Sequence, residues 1–319
     1  MKRWTKEEEN YLIDNFKTMN YKDISNHLGV SEGAIRAKCF DLGLVKNTRW
    51  TEEEISFVKE NLYKMTYEEM SKYLNRTPVS IGVKMKKLGI KKSKYYCNYE
   101  FFKNIDTEEK AYWLGFLYAD GWITVNEDAN SGHVGIQLQK SDYEHLKKFN
   151  NSLNGNYNIE YGSKASFSGK LHEYCKIRIY SIDMVKDLID KNLLLNKTYK
   201  DEYPVVDDSL MRHFIRGFFD GDGCVRWKKS KNKYYGACDF TSLNLNFINF
   251  IRKYIYENVG VNSYITQEVS GCYRLYIHSN EHSVKFLKYL YDDSTIYLDR
   301  KYKLYQEITN TNHEICLAL

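Results

Sequence analysis

Two stretches of the chain are apolar on nearly every side of a helical wheel. In YWLGFLYADG (112–121) the apolar set includes Trp113, Leu114, Phe116 and Leu117; in FIRGFFDGDG (214–223) it includes Phe214, Ile215, Phe218 and Phe219. A helix of that composition is buried rather than laid on a surface. Asp106, with Glu109 three positions on, has the pattern of a capping box and is expected to open the first of these helices. After each stretch the spacing changes from helical to period two. WITV and HVGIQLQ read as a hairpin, a Ser141-capped helix runs through Phe149, YNIEY and YCKIRIY read as two further strands, and MVKDLIDKNLL is helical again. The second half keeps the order, with CVRWKK, GACDFTS, a helix through FINFIRKYI, SYITQEV, CYRLYIH and a helix through SVKFLKYLY. The pattern αββαββα is written twice and predicts an α+β fold of two pseudo-symmetric units, 106–203 and 204–319, packed side by side.

Ahead of these units the periodicity is helical and repeats every 46 residues: RWTKEEENYLI at 3–13 returns as RWTEEEISFVK at 49–59. Each copy, 1–46 and 47–92, predicts three short helices. Thr5 and Thr51 cap the first, with acids in the opening turn where the helix dipole favours them. Ile24–Leu28 and Met70–Leu74 mark the second. Ser31 and Thr77 cap the third, Pro78 sits where a missing N–H costs nothing, and Gly43 and Gly89 end it. Residues 93–105 form a basic and aromatic linker.

Composition narrows the function. The 43% hydrophobic and 28% charged content is that of an ordinary globular protein, and no run approaches the length of a membrane span. MKRWTKEEENYL lacks the apolar stretch of a signal peptide, so a cytoplasmic location is expected. Seven Cys without a C-x-x-C argue against a disulfide framework and a zinc ribbon. Net charge is only +5, but it is gathered: Lys84, Lys86, Lys87, Lys91, Lys92 and Lys94 in one run, Arg226, Lys228, Lys229, Lys231 and Lys233 in another. Either run alone is what a solvated face carries; together, in a chain with helix-turn-helix signals, they point to a polyanion.

The twin phrase carries the chemistry. Gly115/Ala119 and Gly217/Gly221 are small-xxx-small steps that let two helix backbones approach closely, and each helix is the natural partner of the other. Asp120 and Asp222 then fall at helix C-termini, where the dipole disfavours an anion, and pairing the helices brings the two carboxylates together. Asp-Gly also simply ends a helix in a turn. Two copies in matched units favour a divalent-cation site, since hard carboxylate and carbonyl oxygens suit Mg²⁺. Period two in HVGIQLQ turns Ile136 and Leu138 to the core and leaves Gln137 and Gln139 outward; the second half offers Asp239 and Thr241. HSNEH at 278–282 has the spacing of an inverted zinc-protease motif, but its first His ends a strand, so zinc is not expected.

WLGFLYADG and IRGFFDGDG, each opening an αββαββα unit, resemble the paired motifs of monomeric LAGLIDADG homing endonucleases, and the 46-residue repeat resembles tandem Myb-like helix-turn-helix modules. The first resemblance implies a DNA-binding saddle of two four-stranded sheets, a long specific double-stranded DNA site as partner, a monomer with internal pseudo-twofold symmetry, and metal-dependent cutting of both strands. By position it implies Asp120 and Asp222 as catalytic metal ligands for Mg²⁺ or Mn²⁺, with the Ala119 and Gly221 carbonyls nearby, and Gly115 and Gly217 at the helix interface. Asp220 stands where the first motif has Tyr118, a departure expected to touch no ligand. LLLNKTY and IYLDRKY nominate Lys197 and either Arg300 or Lys301 as basic residues beside the metals. DNA contacts are expected from Arg226, Lys228, Thr241, Gln137 and Gln139 on the sheets, and from Arg36, Lys38, Lys84, Lys86 and Lys87 on the recognition helices. The expected role is that of a mobile-element nuclease, as in intron homing; a non-cleaving DNA-binding regulator or an intron RNA maturase on the same fold is the alternative.

Overall fold

The computed structural model describes residues 3–16, 18–44, 49–62, 65–74, 76–90, 94–166, 169–193, 202–230, 233–277 and 279–317. It divides into two compact units, Met1–Tyr96 and Cys97–Leu319.

In the first unit, α1 (Lys6–Asn15), α2 (Tyr21–Leu28) and α3 (Glu32–Asp41) enclose Leu12, Phe16, Ile24, Ile35 and Cys39, with Trp4 packed against them. Helices α4 (Glu52–Asn61), α5 (Tyr67–Leu74) and α6 (Pro78–Lys87) do the same around Val58, Met70, Ile81 and Met85, with Trp50. Thr5 and Thr51 both make full capping boxes, with Glu8 and Glu54, and Ser31 and Thr77 cap α3 and α6. Gly43 and Gly89 follow those helices at φ +65° and +71°, left-handed values that a side chain resists.

The second unit runs α7 (Glu108–Asp120), β1 (Gly121–Asn126), β2 (Ser131–Gln139), α8 (Tyr143–Ser152), β3 (Glu160–Ala165), β4 (Leu171–Tyr180) and α9 (Ile182–Asp190). It repeats as α10 (Asp208–Asp222), β5 (Gly223–Ser230), β6 (Lys233–Ser242), α11 (Leu245–Val259), β7 (Tyr264–Gln267), β8 (Tyr273–Ile277) and α12 (Asn280–Tyr291). The strands form two four-stranded antiparallel sheets of matching order, β1-β2-β4-β3 and β5-β6-β8-β7. Register follows burial. Ile136 pairs with Ile177 on the core face, while Gln137 pairs with Lys176 on the other.

Four local features differ from expectation. Thr107, not Asp106, caps α7; Asp106 instead pairs with Lys110 at 2.7 Å, and Glu109 accepts from the Ser152 hydroxyl. Ser141 lies inside a short 3₁₀ turn, Lys140–Asp142, and α8 begins without a side-chain cap. β3 starts at Glu160, three residues into the YNIEY run, because Asn150 holds the run's first residue: its amide donates to the Tyr157 carbonyl (3.0 Å) and its oxygen accepts the Tyr157 N–H (3.3 Å). A final helix, α13 (Asp299–Leu317), follows the second repeat. It opens on charged residues and carries Ile308, fully buried beside Gly236.

Candidate active site at the helix pair

Helices α7 and α10 cross with their backbones in contact. A Cβ built on Gly115 would overlap the Phe214 carbonyl oxygen and lie 3.0 Å from Phe218 N. One built on Gly217 would overlap the Tyr112 carbonyl oxygen and lie 2.9 Å from Phe116 N. The approach continues to the helix ends, where a Cβ on Gly221 would overlap that of Ala119 and sit 3.3 Å from Asp120 Oδ2. The Asp120 carboxylate therefore reaches the end of the opposite helix. Asp120 is half-buried and Asp222 exposed. Neither helix ends in a loop: Gly121 and Gly223 are extended, donate to Leu117 O and Phe219 O, and begin β1 and β5. A cleft of about 210 Å³ opens beside Asp222, lined by Tyr118, Ala119, Phe218, Thr241 and Ser242 among others.

Lys301, in the first turn of α13, is buried. Its ammonium donates to the carbonyl oxygens of Phe219 (2.5 Å), Gly221 (3.4 Å) and Gly223, the last turn of α10 and the residue after it. A cation there matches the negative end of the helix dipole. Burial lowers the Lys301 ammonium to about 8, against the opposing pull of Asp220 and Asp120.

Asp220 has a role that its position in the motif did not announce. The expectation went no further than that this departure touches no ligand; the structure adds a structural role, for the carboxylate is fully buried and accepts from Tyr112 Oη (2.8 Å), Tyr291 Oη (2.6 Å) and Leu298 N (2.8 Å). Burial raises its carboxyl above the ordinary range, with Lys301 the first of the groups that oppose the rise. One turn earlier, Arg216 is also fully buried. It donates to Ile296 O (2.9 Å), Leu290 O (3.0 Å) and Glu108 Oε1 (2.5 Å), the last at the start of α7. The signal for both residues was present in FIRGFFDGDG: a cation and an acid four apart in a helix otherwise written for burial.

The other nominated residues divide. Gln137 is exposed between buried neighbours, and Gln139 is exposed at the end of β2, although it also donates to Asp142 (3.1 Å). Lys228 is half-buried over the Tyr276 ring, and Thr241 lines the cleft. Asp239 lies on the outward face, opposite to buried Cys238 and Phe240, but is covered there: it is 3% exposed and held by Arg226 and, at 3.7 Å, by Arg274. Arg226 thus belongs to an ion pair on the sheet face. Arg300 reaches back to Asp142 of the first repeat (3.1 Å), beside a Lys148–Asp299 pair at 2.6 Å, so it joins the halves instead of standing free for a phosphate. Lys38 is largely covered, bound to Glu9 at 2.5 Å over the Trp4 ring, and serves its module's core in place of a recognition surface. Arg36 is exposed, with Glu32 at 3.7 Å; Lys84 is half-buried, and Lys86 and Lys87 are exposed. Lys197 and His278 lie outside the described residues.

The donors at the helix ends, two aspartate carboxylates and the Ala119 and Gly221 carbonyls, are all hard oxygens and fit Mg²⁺ or Mn²⁺ by chemistry. Among the described residues no group of three or more His, Cys, Asp or Glu stands together, so the two aspartates would need main-chain carbonyls as further ligands, and no helix is long and apolar enough to cross a membrane.

The family model of a LAGLIDADG-like domain matches residues 209–291, which span α10 to α12. Solved structures similar to this chain include the LAGLIDADG meganuclease I-AabMI bound to uncleaved DNA, at 13% identity and a TM-score of 0.45 over 64% of this chain and 91% of that one. The homing endonuclease I-WcaI bound to its DNA recognition sequence is similar at 14% identity and a TM-score of 0.45, over 64% and 90%. Full-length DUF199/WhiA from Thermatoga maritima is similar at 17% identity and a TM-score of 0.39; the match covers 67% of this chain and 65% of that one. No curated protein matches the chain by sequence.

Proposed function

We propose that this chain, which carries a LAGLIDADG-like domain at residues 209–291, is a metal-dependent, site-specific endonuclease that cuts both strands of a long DNA site. The observation that carries the proposal is the pair of carboxylates at the joined ends of α7 and α10, with the Asp120 oxygen 3.3 Å from where a Gly221 Cβ would stand. Helix packing alone has no use for two acids at the negative ends of two dipoles. Asp120 and Asp222 would hold divalent cations with help from the Ala119 and Gly221 carbonyls. Bound there, the metal would supply Lewis-acid polarisation of a phosphodiester and a more acidic water. Lys301 sets a positive charge at the end of α10, suited to the charge that builds on a phosphate under attack. The outward faces of both sheets offer Gln137, Gln139, Lys176, Lys228 and Thr241; glutamine can read adenine through two hydrogen bonds in the major groove. The protein would act as a monomer, its two repeats taking one strand each, and would serve a mobile element as its nuclease.

A second reading has one observation in its favour. Lys301 already donates to the Gly221 carbonyl, an oxygen the metal would use, as befits a non-cleaving DNA-binding protein on the same fold.

A plasmid library with randomised inserts, incubated with the full chain and Mg²⁺, separates the two. Linearisation of selected clones is expected, and Asp120→Asn or Asp222→Asn should abolish it while gel-shift affinity for the same clones persists. Clones that are bound and never cut would establish the second reading; undiminished cutting by either variant would overturn the site.

A further inference from the structure

We infer that Asp220 is a positioning residue that makes the two cutting centres unequal: it seats Lys301 at the end of α10 and thereby governs cleavage of one DNA strand. The inference rests on the nuclease function proposed above.

Its basis is a clamp that, among the described residues, is built in the second repeat and whose acid the first motif lacks. The motifs align at a spacing of 102, which sets Asp220 against Tyr118 and Tyr112 against Phe214. In the second repeat the Asp220 carboxylate binds the Leu298 N–H, the last residue before α13, at 2.8 Å. Lys301 lies in the turn that this bond anchors, and its own N–H donates back to Leu298 O at 3.0 Å. The start of α13 is thus pinned to α10, which leaves the Lys301 side chain over the carbonyls of Phe219, Gly221 and Gly223. Tyr291 completes the clamp from the end of α12, and Tyr112 completes it from α7, across the seam between repeats. In the first repeat, position 118 is a tyrosine whose hydroxyl meets Asn244 at 3.4 Å, among the rings of Phe214, Phe218 and Phe247. Position 118 itself supplies no carboxylate. A fold that needed two equal centres would carry the acid in both motifs or in neither.

Partners that orient a functional group are worth roughly 10–100-fold in activity when lost. Asp220→Asn keeps the size of the side chain but weakens its bonds to Leu298 N and both hydroxyls; Tyr291→Phe removes one donor and leaves the acid. With a linearised clone from the library labelled separately on each strand, Asp220→Asn should slow one strand by at least tenfold and leave the other within about threefold, so that nicked DNA accumulates. Tyr291→Phe should slow the same strand less. Hydrogen exchange on the DNA-free protein gives an independent readout: peptides covering 296–302 should lose protection in Asp220→Asn while those of α7 keep it. Equal slowing of both strands, or unchanged protection at 296–302, would overturn the positioning role. Failure of the unaltered chain to cut either strand would instead defeat the nuclease function, and this inference with it.

Discussion

His145 shows how a single ring can carry pH dependence into the second unit. It is 1% exposed, wedged against Trp113 and Phe116, and its Nε2 lies 3.1 Å from the Tyr112 hydroxyl. The one proton of that hydroxyl is committed to Asp220, so the ring donates through Nε2–H and is neutral; Nδ1 is buried without a partner. Burial pushes its pKa well below the ordinary 6.5, helped by the positive charges of Lys148, Arg300 and Lys301. A depressed folded value gives stability that is complete above pH 6.5 and is lost as the pH falls below it, because only the unfolded chain takes up the proton readily. Melting temperature should therefore fall from pH 7 to pH 5. The second repeat places Phe247 where the first has His145, which names the control. His145→Phe should flatten this slope, leaving the smaller part carried by His213 and His133, whose burial also lowers their pKa values. An unaltered slope would show that His145 already accepts its proton in the fold.

At the scale of elements, the contact between α7 and α10 is made by main chain. Gly115→Leu would gain under ~1 kcal/mol in an isolated helix, whereas forcing a side chain into a packed interface costs ~1–3 kcal/mol or more. Here the Cβ alone meets a carbonyl oxygen that cannot move without unwinding α10. The variant should melt lower and lose cleavage together; thermal unfolding that rises, with cutting retained, would place the glycines elsewhere. This helix pair was legible in the chain because its determinants are local: small residues four apart, rings around them, an acid at the end. Thr5, Ser31, Thr51 and Thr77 were legible for the same reason, since a cap is read within one turn. Lys38 was not, because its partner Glu9 lies on another helix. Nor were the roles of Asp220 and Arg216, whose partners come from residues 108, 112, 290, 291, 296 and 298, segments that adjoin only after folding. α13 went unread because its apolar positions are sparse and its opening turn is charged.

For the whole molecule, the first unit matters through charge. Lys86 and Lys87 are exposed on α6, which has no acid in its first turn, while on α3 Arg36 is partnered by Glu32. If these modules neutralise phosphates, removing residues 1–96 should weaken binding and reduce the slope of log affinity against log salt by roughly 0.9 for every phosphate left without its cation. An unchanged slope and affinity would mean that the modules serve another partner. The second unit holds its own core and should keep its fold, and with it the proposed metal chemistry, without them. Within it, the absence of any loop between each motif helix and its first strand has a further consequence. Asp120 and Gly121 are consecutive, one the last residue of a helix and the other the first of a sheet, and Asp222 and Gly223 repeat the arrangement. The surface that would grip DNA and the group that would cut it share one stiff joint with no slack. An imperfect sequence that strains a sheet would then drag the carboxylate off its mark, so errors in the target would be punished at the blade more than at the grip. Mismatched sites should lose cutting rate faster than they lose affinity, and a strict proportion between the two would show that the joint yields.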